Sequence, residues 1–208
     1  CLGMKDAPFR FRMIALIILD GAGIGALPDA GDFGDTGADT LGHLDKELGL
    51  SLPNLERWGL GRLLKHAQGQ EEVTGAYGIM AERSPGKDTT TGHWELAGLV
   101  LNRAFPTYPD GFPPDLVARF EQAIGRKTLC NKPASGTEII AQLGDEQVRT
   151  GCPILYTSAD SVFQLAAHES VIPVEERYGF GEIARKLLGP PHNVGRVIAR
   201  PFAGTSGH

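Results

Sequence analysis

Met13-Ile14-Ala15-Leu16-Ile17-Ile18-Leu19 runs without a polar residue into Asp20-Gly21-Ala22-Gly23-Ile24-Gly25, and this junction decides the fold class. A continuous apolar run rich in isoleucine predicts a central parallel strand covered on both faces. The glycine-rich turn then falls at the strand's carboxyl end, the edge where open α/β sheets bind their ligands. Arg10 and Arg12 ahead of the run imitate the basic start of a signal peptide. A run of only seven apolar residues, ended by Asp20, fits a buried strand better.

Downstream, a Gly/Asp-rich stretch reaches Asp39, and the spacing predicts helices at Thr40–Leu48 and from Asn54 to about Trp58. Tyr77–Glu82 reads as a strand and Ser84-Pro85-Gly86 as a loop. Thr89 or Thr90 can cap a helix running to about Val100. Asn102–Pro114, with four prolines and several aromatics, reads as a domain boundary. Beyond it the pattern predicts helix 115–124, strand 127–130, helix 136–143, strand 153–157, helix 174–188 and strand 194–200. Those elements make a second, smaller α/β unit. No internal repeat or low-complexity tract interrupts it.

The bulk composition narrows the function. With 208 residues the chain forms one large domain or two small ones, and 28 glycines favour an α/β protein with many tight turns. A formal net charge of −5 argues against nucleic acid or an anionic membrane as partner. It leaves a phosphorylated substrate open, because a bound cation supplies charge that counting residues misses. No run approaches the roughly 20 apolar residues of a membrane helix. Cys1, Cys130 and Cys152 show no CxxC spacing, so a reducing cytoplasm is the natural compartment. Cys1 is no initiator and Thr205–His208 follows a strand without a closing element, so the natural protein is expected to extend further.

Several segments could carry chemistry. Asp20, between an apolar strand and glycines, can reach a metal ion or cap a turn. Gly86-Lys87-Asp88-Thr89-Thr90-Thr91-Gly92-His93-Trp94-Glu95 places three hydroxyls at a helix start, where free N–H groups favour phosphate. An over-supplied helix cap is the plainer alternative, and Lys87 and His93 tilt the segment toward phosphate. Asn131-Lys132-Pro133-Ala134-Ser135-Gly136-Thr137-Glu138 fits a turn followed by a capping box of Ser135 with Glu138. Thr157-Ser158-Ala159-Asp160-Ser161, read as ending a strand and opening a helix, can cradle a sugar hydroxyl or serve only as a cap. Arg196 and Arg200 lie four apart in a strand and share a face, which suits phosphate binding or surface ion pairing. Gly21-Ala22-Gly23-Ile24-Gly25 lacks the spacing of either nucleotide-binding glycine loop. Asp35, Asp39 and His43, at helical spacing, fit a solvated face better than a ligand set.

Taken in order, IILDGAGIGALPDAGDFGDTGADTLGH, LPNLERWGLGRL, GKDTTTGHWE, GFPPDL, NKPASGTEII, YTSADSVFQLAAHE and VGRVIARPF resemble the bacterial phosphopentomutases of the alkaline phosphatase superfamily. The resemblance covers residues 13–204 and corresponds to the family's N-terminal half with its cap domain. It implies an alkaline-phosphatase-like α/β core, partial here, at 1–101. A smaller inserted α/β cap follows at 102–204, and 205–208 begin a truncated return to the core. The implied activity interconverts ribose or deoxyribose 1-phosphate and 5-phosphate through a phosphothreonine and a 1,5-bisphosphate. Carried over by motif, the phosphorylated residue is Thr89. Asp20 and Thr89 face two manganese ions, and Ser158, Asp160, Val162, Arg196 and Ile198 face the pentose phosphate. Lys87 and Arg200 are further phosphate-handling candidates. The Asp/His motifs that supply most of the family's metal ligands are missing, and His43, His66, His93, His168, His192 and His208 do not replace them. The implied setting is cytoplasmic nucleotide salvage, with small-molecule partners and no nucleic acid or membrane; oligomeric state stays open. The alternatives are a non-catalytic fragment that at most binds sugar phosphate, or a related phosphoglycerate mutase or phosphatase.

Overall fold

The computed structural model describes residue 13, residues 15–64 and residues 72–204. They fall into two compact units divided at the Ala81–Glu82 bond. Ile14, His66, the Arg10/Arg12 pair, Cys1 and the 205–208 return lie outside the described residues.

The first unit is built from short helices. A 3-10 turn at Ala30–Phe33 precedes α1 (Thr40–Leu48), α2 (Pro53–Trp58) and α3 (Leu60–Leu63). Asp39 starts α1 by accepting the N–H of Gly42 at 3.1 Å, and Gly49 ends it in the left-handed conformation. Pro53 opens α2 with a φ already suited to a helix. Gly59, with φ of 117°, separates α2 from α3, and the Tyr77 ring lies directly on its Cα, where a side chain would collide.

Neither strand expected in this region forms. Met13 and Ala15–Leu19 are irregular, with Leu16 72% and Ile17 81% exposed. Tyr77–Glu82 is irregular as well, and Met80 is 80% exposed. The apolar run has the composition of a strand, but a strand is completed by a neighbouring backbone. Among the described residues neither segment has a ladder partner.

The second unit is mixed α/β, as expected. Its elements are α4 (Thr89–Leu96), α5 (Pro114–Ile124), β1 (Leu129–Pro133), α6 (Gly136–Thr150), β2 (Ile154–Thr157), β3 (Val162–His168), α7 (Val174–Leu187) and β4 (Arg196–Phe202). The sheet runs β1-β2-β3-β4. β1/β2 and β3/β4 are parallel, and β2/β3 is antiparallel. One face carries Leu155, Phe163, Leu165 and Ala167 into a core closed by Leu116 and Phe120 of α5 and by Phe180 and Ala184 of α7. The other buries Ile154, Tyr156 and Ala166 under Ile139 of α6.

Five expectations need correction. Asp88, not a threonine, caps α4, which stops at Leu96. Ser135 begins α6 without a side-chain cap, so the capping box is absent. α6 also continues past 143 to Thr150, because Gly144 fits against the Phe202 ring and the helix stops only at left-handed Gly151. Residues 158–161 open no helix: they turn the chain into β3, a strand missed because it is buried on both faces and shows no clean alternation. β1 and β4 also sit about two residues later than expected, and positive φ at Cys130 and Asn131 bulges β1.

Phe163 is the hub of the larger core, with ring centroids 4.9 Å from Phe112 and 5.1 Å from Phe120. Phe163→Ala should therefore destabilise the second unit by about 3–5 kcal/mol. Urea denaturation followed by far-UV circular dichroism measures it.

Candidate functional site

Two constellations of the second unit carry the residues singled out from sequence. The first is the start of α4. Asp88 accepts the N–H of Thr91 at 3.0 Å, and the buried Thr91 hydroxyl also donates to the Asp88 carboxylate. The cap thus consumes Thr91 and leaves Thr89 exposed, with Thr90 half-buried. His93 Nδ1 donates to the Thr89 carbonyl at 2.8 Å, which fixes its tautomer and turns Nε2 outward. Lys87 is exposed just before the cap.

A carboxylate clamp positions this helix. Glu95 accepts the N–H of Arg83 at 2.8 Å and the N–H of Ser84 at 2.7 Å. The Ser84 hydroxyl also donates to Glu95 and in turn accepts the Leu101 N–H at 2.9 Å. The Ser84 hydroxyl and these amides hold the Glu95 carboxyl below its usual value, burial opposing only in part. Sequence reading named Glu95 only as the end of a motif. Its helix position facing a Ser-Pro-Gly loop was the available signal.

The second constellation gathers at one end of the sheet. The buried Thr157 hydroxyl donates to the Val162 carbonyl at 2.8 Å and closes the turn between β2 and β3. Within that turn Asp160 N–H meets the Ser158 hydroxyl at 3.3 Å. Ser161 accepts from Gly195 N at 3.2 Å through its hydroxyl and from Arg196 N at 3.1 Å through its carbonyl. The guanidinium of Arg196 then pairs with Asp160 at 3.1 Å. Its Nε is buried without a partner. Phe105 touches both regions, packing edge-on against Trp94 of α4 at 5.4 Å and lying against Gly195.

Register places Arg196, Ile198 and Arg200 on one face of β4, beside Val162, Gln164 and Ala166 of β3. Ser158, Asp160, Val162, Arg196 and Ile198 therefore converge as a set, although Val162 is only 1% exposed. Gln164, a mostly buried polar residue between Tyr156 and Ile198 in register, belongs to the same face. It escaped sequence reading because one polar residue inside an apolar strand carries no pattern.

Asp20 lies in the other unit, exposed in a turn beside left-handed Gly21. Asp39 accepts the N–H groups of Gly25 and Gly42, so it serves as a cap. Among the described residues no group of three or more His, Cys, Asp or Glu side chains is gathered as a metal ion requires. These residues do not by themselves form a two-metal centre. No described helix is long and apolar enough to cross a membrane.

In class, then, the second unit is an α/β sheet domain with an arginine and hydroxyl cluster at one sheet end and an open threonine at a capped helix start. Several curated proteins to which the chain is similar carry one name. It is 60% identical over 200 residues to the phosphopentomutase of Carboxydothermus hydrogenoformans, covering 95% of this chain and 52% of that protein. To the phosphopentomutase of Caldanaerobacter subterraneus subsp. tengcongensis it is 59% identical over 199 residues, covering 95% and 51%. That of Acetivibrio thermocellus is 59% identical over 196 residues, covering 93% and 50%. The chain spans about half the length of these curated relatives. No protein-family model matches it.

The clamp makes a pH prediction. A carboxyl held below its ordinary value of 4.5 when folded stabilises the clamp above that pH, and the contribution fades as pH falls through the lowered value. Protection of the Arg83 and Ser84 amides should therefore drop on acidification below about 4.5, corrected for intrinsic exchange. In Glu95→Gln that dependence should be absent. Hydrogen exchange read by NMR checks both.

Proposed function

We propose that this chain is the front part of a phosphopentomutase, acting on ribose or deoxyribose 1- and 5-phosphates through phospho-Thr89 and a 1,5-bisphosphate. The observation that carries the reading is sustained identity near 60% with proteins of that name along 95% of the chain. The α4 start supports it: the cap occupies Thr91 and leaves the Thr89 hydroxyl open.

In this reading residues 1–101 contribute to the catalytic core and 102–204 form the cap, with 205–208 returning toward the core. The phosphoryl group passes from Thr89 Oγ to a sugar hydroxyl. The Thr89 O–P bond breaks, the sugar O–P bond forms, and the proton of the sugar hydroxyl ends on the Thr89 oxygen. The Thr89 oxygen then recovers the other phosphate from the bisphosphate. Ser158, Asp160 and Arg196 hold the pentose phosphate, with Val162 and Ile198 as the apolar floor. Lys87 and Arg200 handle phosphate charge. Two manganese ions would neutralise phosphoryl oxygens, with Asp20 and Thr89 as this chain's contribution. The surroundings are cytoplasmic nucleotide salvage.

A second reading is favoured by one observation, the chain's span of half the relatives' length: a sugar-phosphate-binding piece without turnover. An assay of the purified 208-residue chain with ribose 1-phosphate and manganese separates the two. Turnover supports the enzyme reading for this chain alone. Its absence, with ribose 5-phosphate still bound, supports the binding piece.

The catalytic roles are testable in a chimera joining residues 1–204 to the remaining half of the Carboxydothermus hydrogenoformans relative. Thr89→Ala should abolish turnover and phosphoprotein formation, and Thr90→Ala should do much less. Asp20→Asn should weaken manganese affinity and activity together. Phosphopeptide mapping that puts the label on Thr90 or Thr91, or unchanged metal affinity in Asp20→Asn, would count against these roles.

A further inference from the structure

α6 begins unusually. Ser135 occupies its cap position but contributes no side-chain hydrogen bond, so the first N–H groups of a 15-residue helix lack a side-chain cap. Directly against this turn lies the Tyr156 hydroxyl. Tyr156 is 0% exposed, and its hydroxyl donates to no acceptor in hydrogen-bond geometry, although the Arg200 guanidinium stands close enough to act on its oxygen. A Cβ on Gly136 would stand 2.9 Å from that hydroxyl and 3.2 Å from the Arg200 guanidinium. The bare Cα of Gly136 is therefore what lets a phenol and a cation share the helix end.

The charges around it are positive. Arg200 is exposed, and among the described residues no carboxylate pairs with it. Lys132 stands opposite Tyr156 in register across β1/β2 and is exposed. Burial raises the pKa of the phenol, with the Arg200 cation opposing, so Tyr156 stays protonated and able to donate. Glu138, also in the first turn, is the one acidic group there, and it is exposed. A donor fully buried without a partner costs free energy in the empty protein, and a bound oxyanion would satisfy it.

We propose that the first turn of α6, the Tyr156 hydroxyl, Arg200 and Lys132 form an anion seat for a phosphate monoester or inorganic phosphate. It deepens the phosphate-handling role of Arg200 given above and rests on that reading for its ligand class. It adds a seat separate from the Ser158, Asp160 and Arg196 cluster. Arg200 supplies a charged fork, Tyr156 one O–H, and the helix N–H groups and dipole complete the shell. A ligand bearing two phosphates would hold one at each end of the Arg196–Arg200 face.

The 208-residue chain is titrated with inorganic phosphate and, separately, with ribose 5-phosphate, following amide shifts and melting temperature. Both ligands should move the Gly136 and Thr137 amides. Arg200→Gln should weaken inorganic phosphate about tenfold, and Tyr156→Phe should weaken it about threefold or more. Without phosphate, Tyr156→Phe should melt at or above the parent, because it deletes an unpartnered buried hydroxyl; a merely structural Tyr156 would melt lower. Arg196→Gln should leave inorganic phosphate at α6 unchanged while weakening ribose 5-phosphate. If ribose 5-phosphate fails to perturb Ser158 and Asp160 while phosphate still moves the α6 amides, the pentose reading falls and the seat stands. Unmoved Gly136 and Thr137 amides, or Arg200→Gln with unchanged phosphate affinity, overturn the seat.

Discussion

The buried hydroxyl of Thr157, donating to the Val162 carbonyl at 2.8 Å, is the contact on which the second unit turns. It reverses the chain between β2 and β3, the one antiparallel step in an otherwise parallel sheet. With the reversal set, Ser161 can take the N–H groups of Gly195 and Arg196, which fixes where β4 begins. The position of Arg196 follows from that, and so does the face shared by Arg196, Ile198 and Arg200. A hydroxyl–carbonyl bond of this kind contributes only about 1 kcal/mol net. Its importance lies in register, because a slip of one residue would send every β4 side chain to the opposite face.

The start of α4 divides its polar groups between holding and presenting. Asp88 and Thr91 pair at the helix start, and Glu95 ties the helix to the 83–84 loop, whose Ser84 hydroxyl takes the Leu101 N–H. Most of these contacts join a side chain to a backbone N–H. The result is a capped turn that consumes Thr91 and leaves Thr89 exposed. Placement matters for any group asked to accept and release a phosphoryl, since small misplacements cost large factors in rate.

The first unit follows a different rule. Its helices are short and bounded by local signals: Asp39 and Pro53 at their starts, glycines 49 and 59 at their ends. Its apolar segments near 16–19 and 79–80 stay exposed. Apolar strands of parallel sheets need a ladder partner and cover on both faces. Local propensity therefore cannot build them alone.

Residue pattern alone marked most of the helices, the chain of motifs and the α/β character of the second unit. Those features rest on local physics: Asp39 capping α1, Pro53 opening α2, the amphipathic period of α5 and α7, and the four-residue spacing of Arg196 and Arg200. The resemblance also supplied Ser158, Asp160, Val162, Arg196 and Ile198, which the fold then brought to one sheet end. Tertiary structure alone decided that Asp88 caps α4 and spares Thr89, that Gly144 lies inside a helix because Phe202 covers it, and that Val162–His168 is a strand. It also decided that Met13–Leu19, the most strand-like stretch in the chain, takes no regular form among the described residues. The physical reason is the same throughout. A helix satisfies its backbone within itself, whereas a strand, a buried phenol or an arginine pair depends on which distant residues the fold sets beside it.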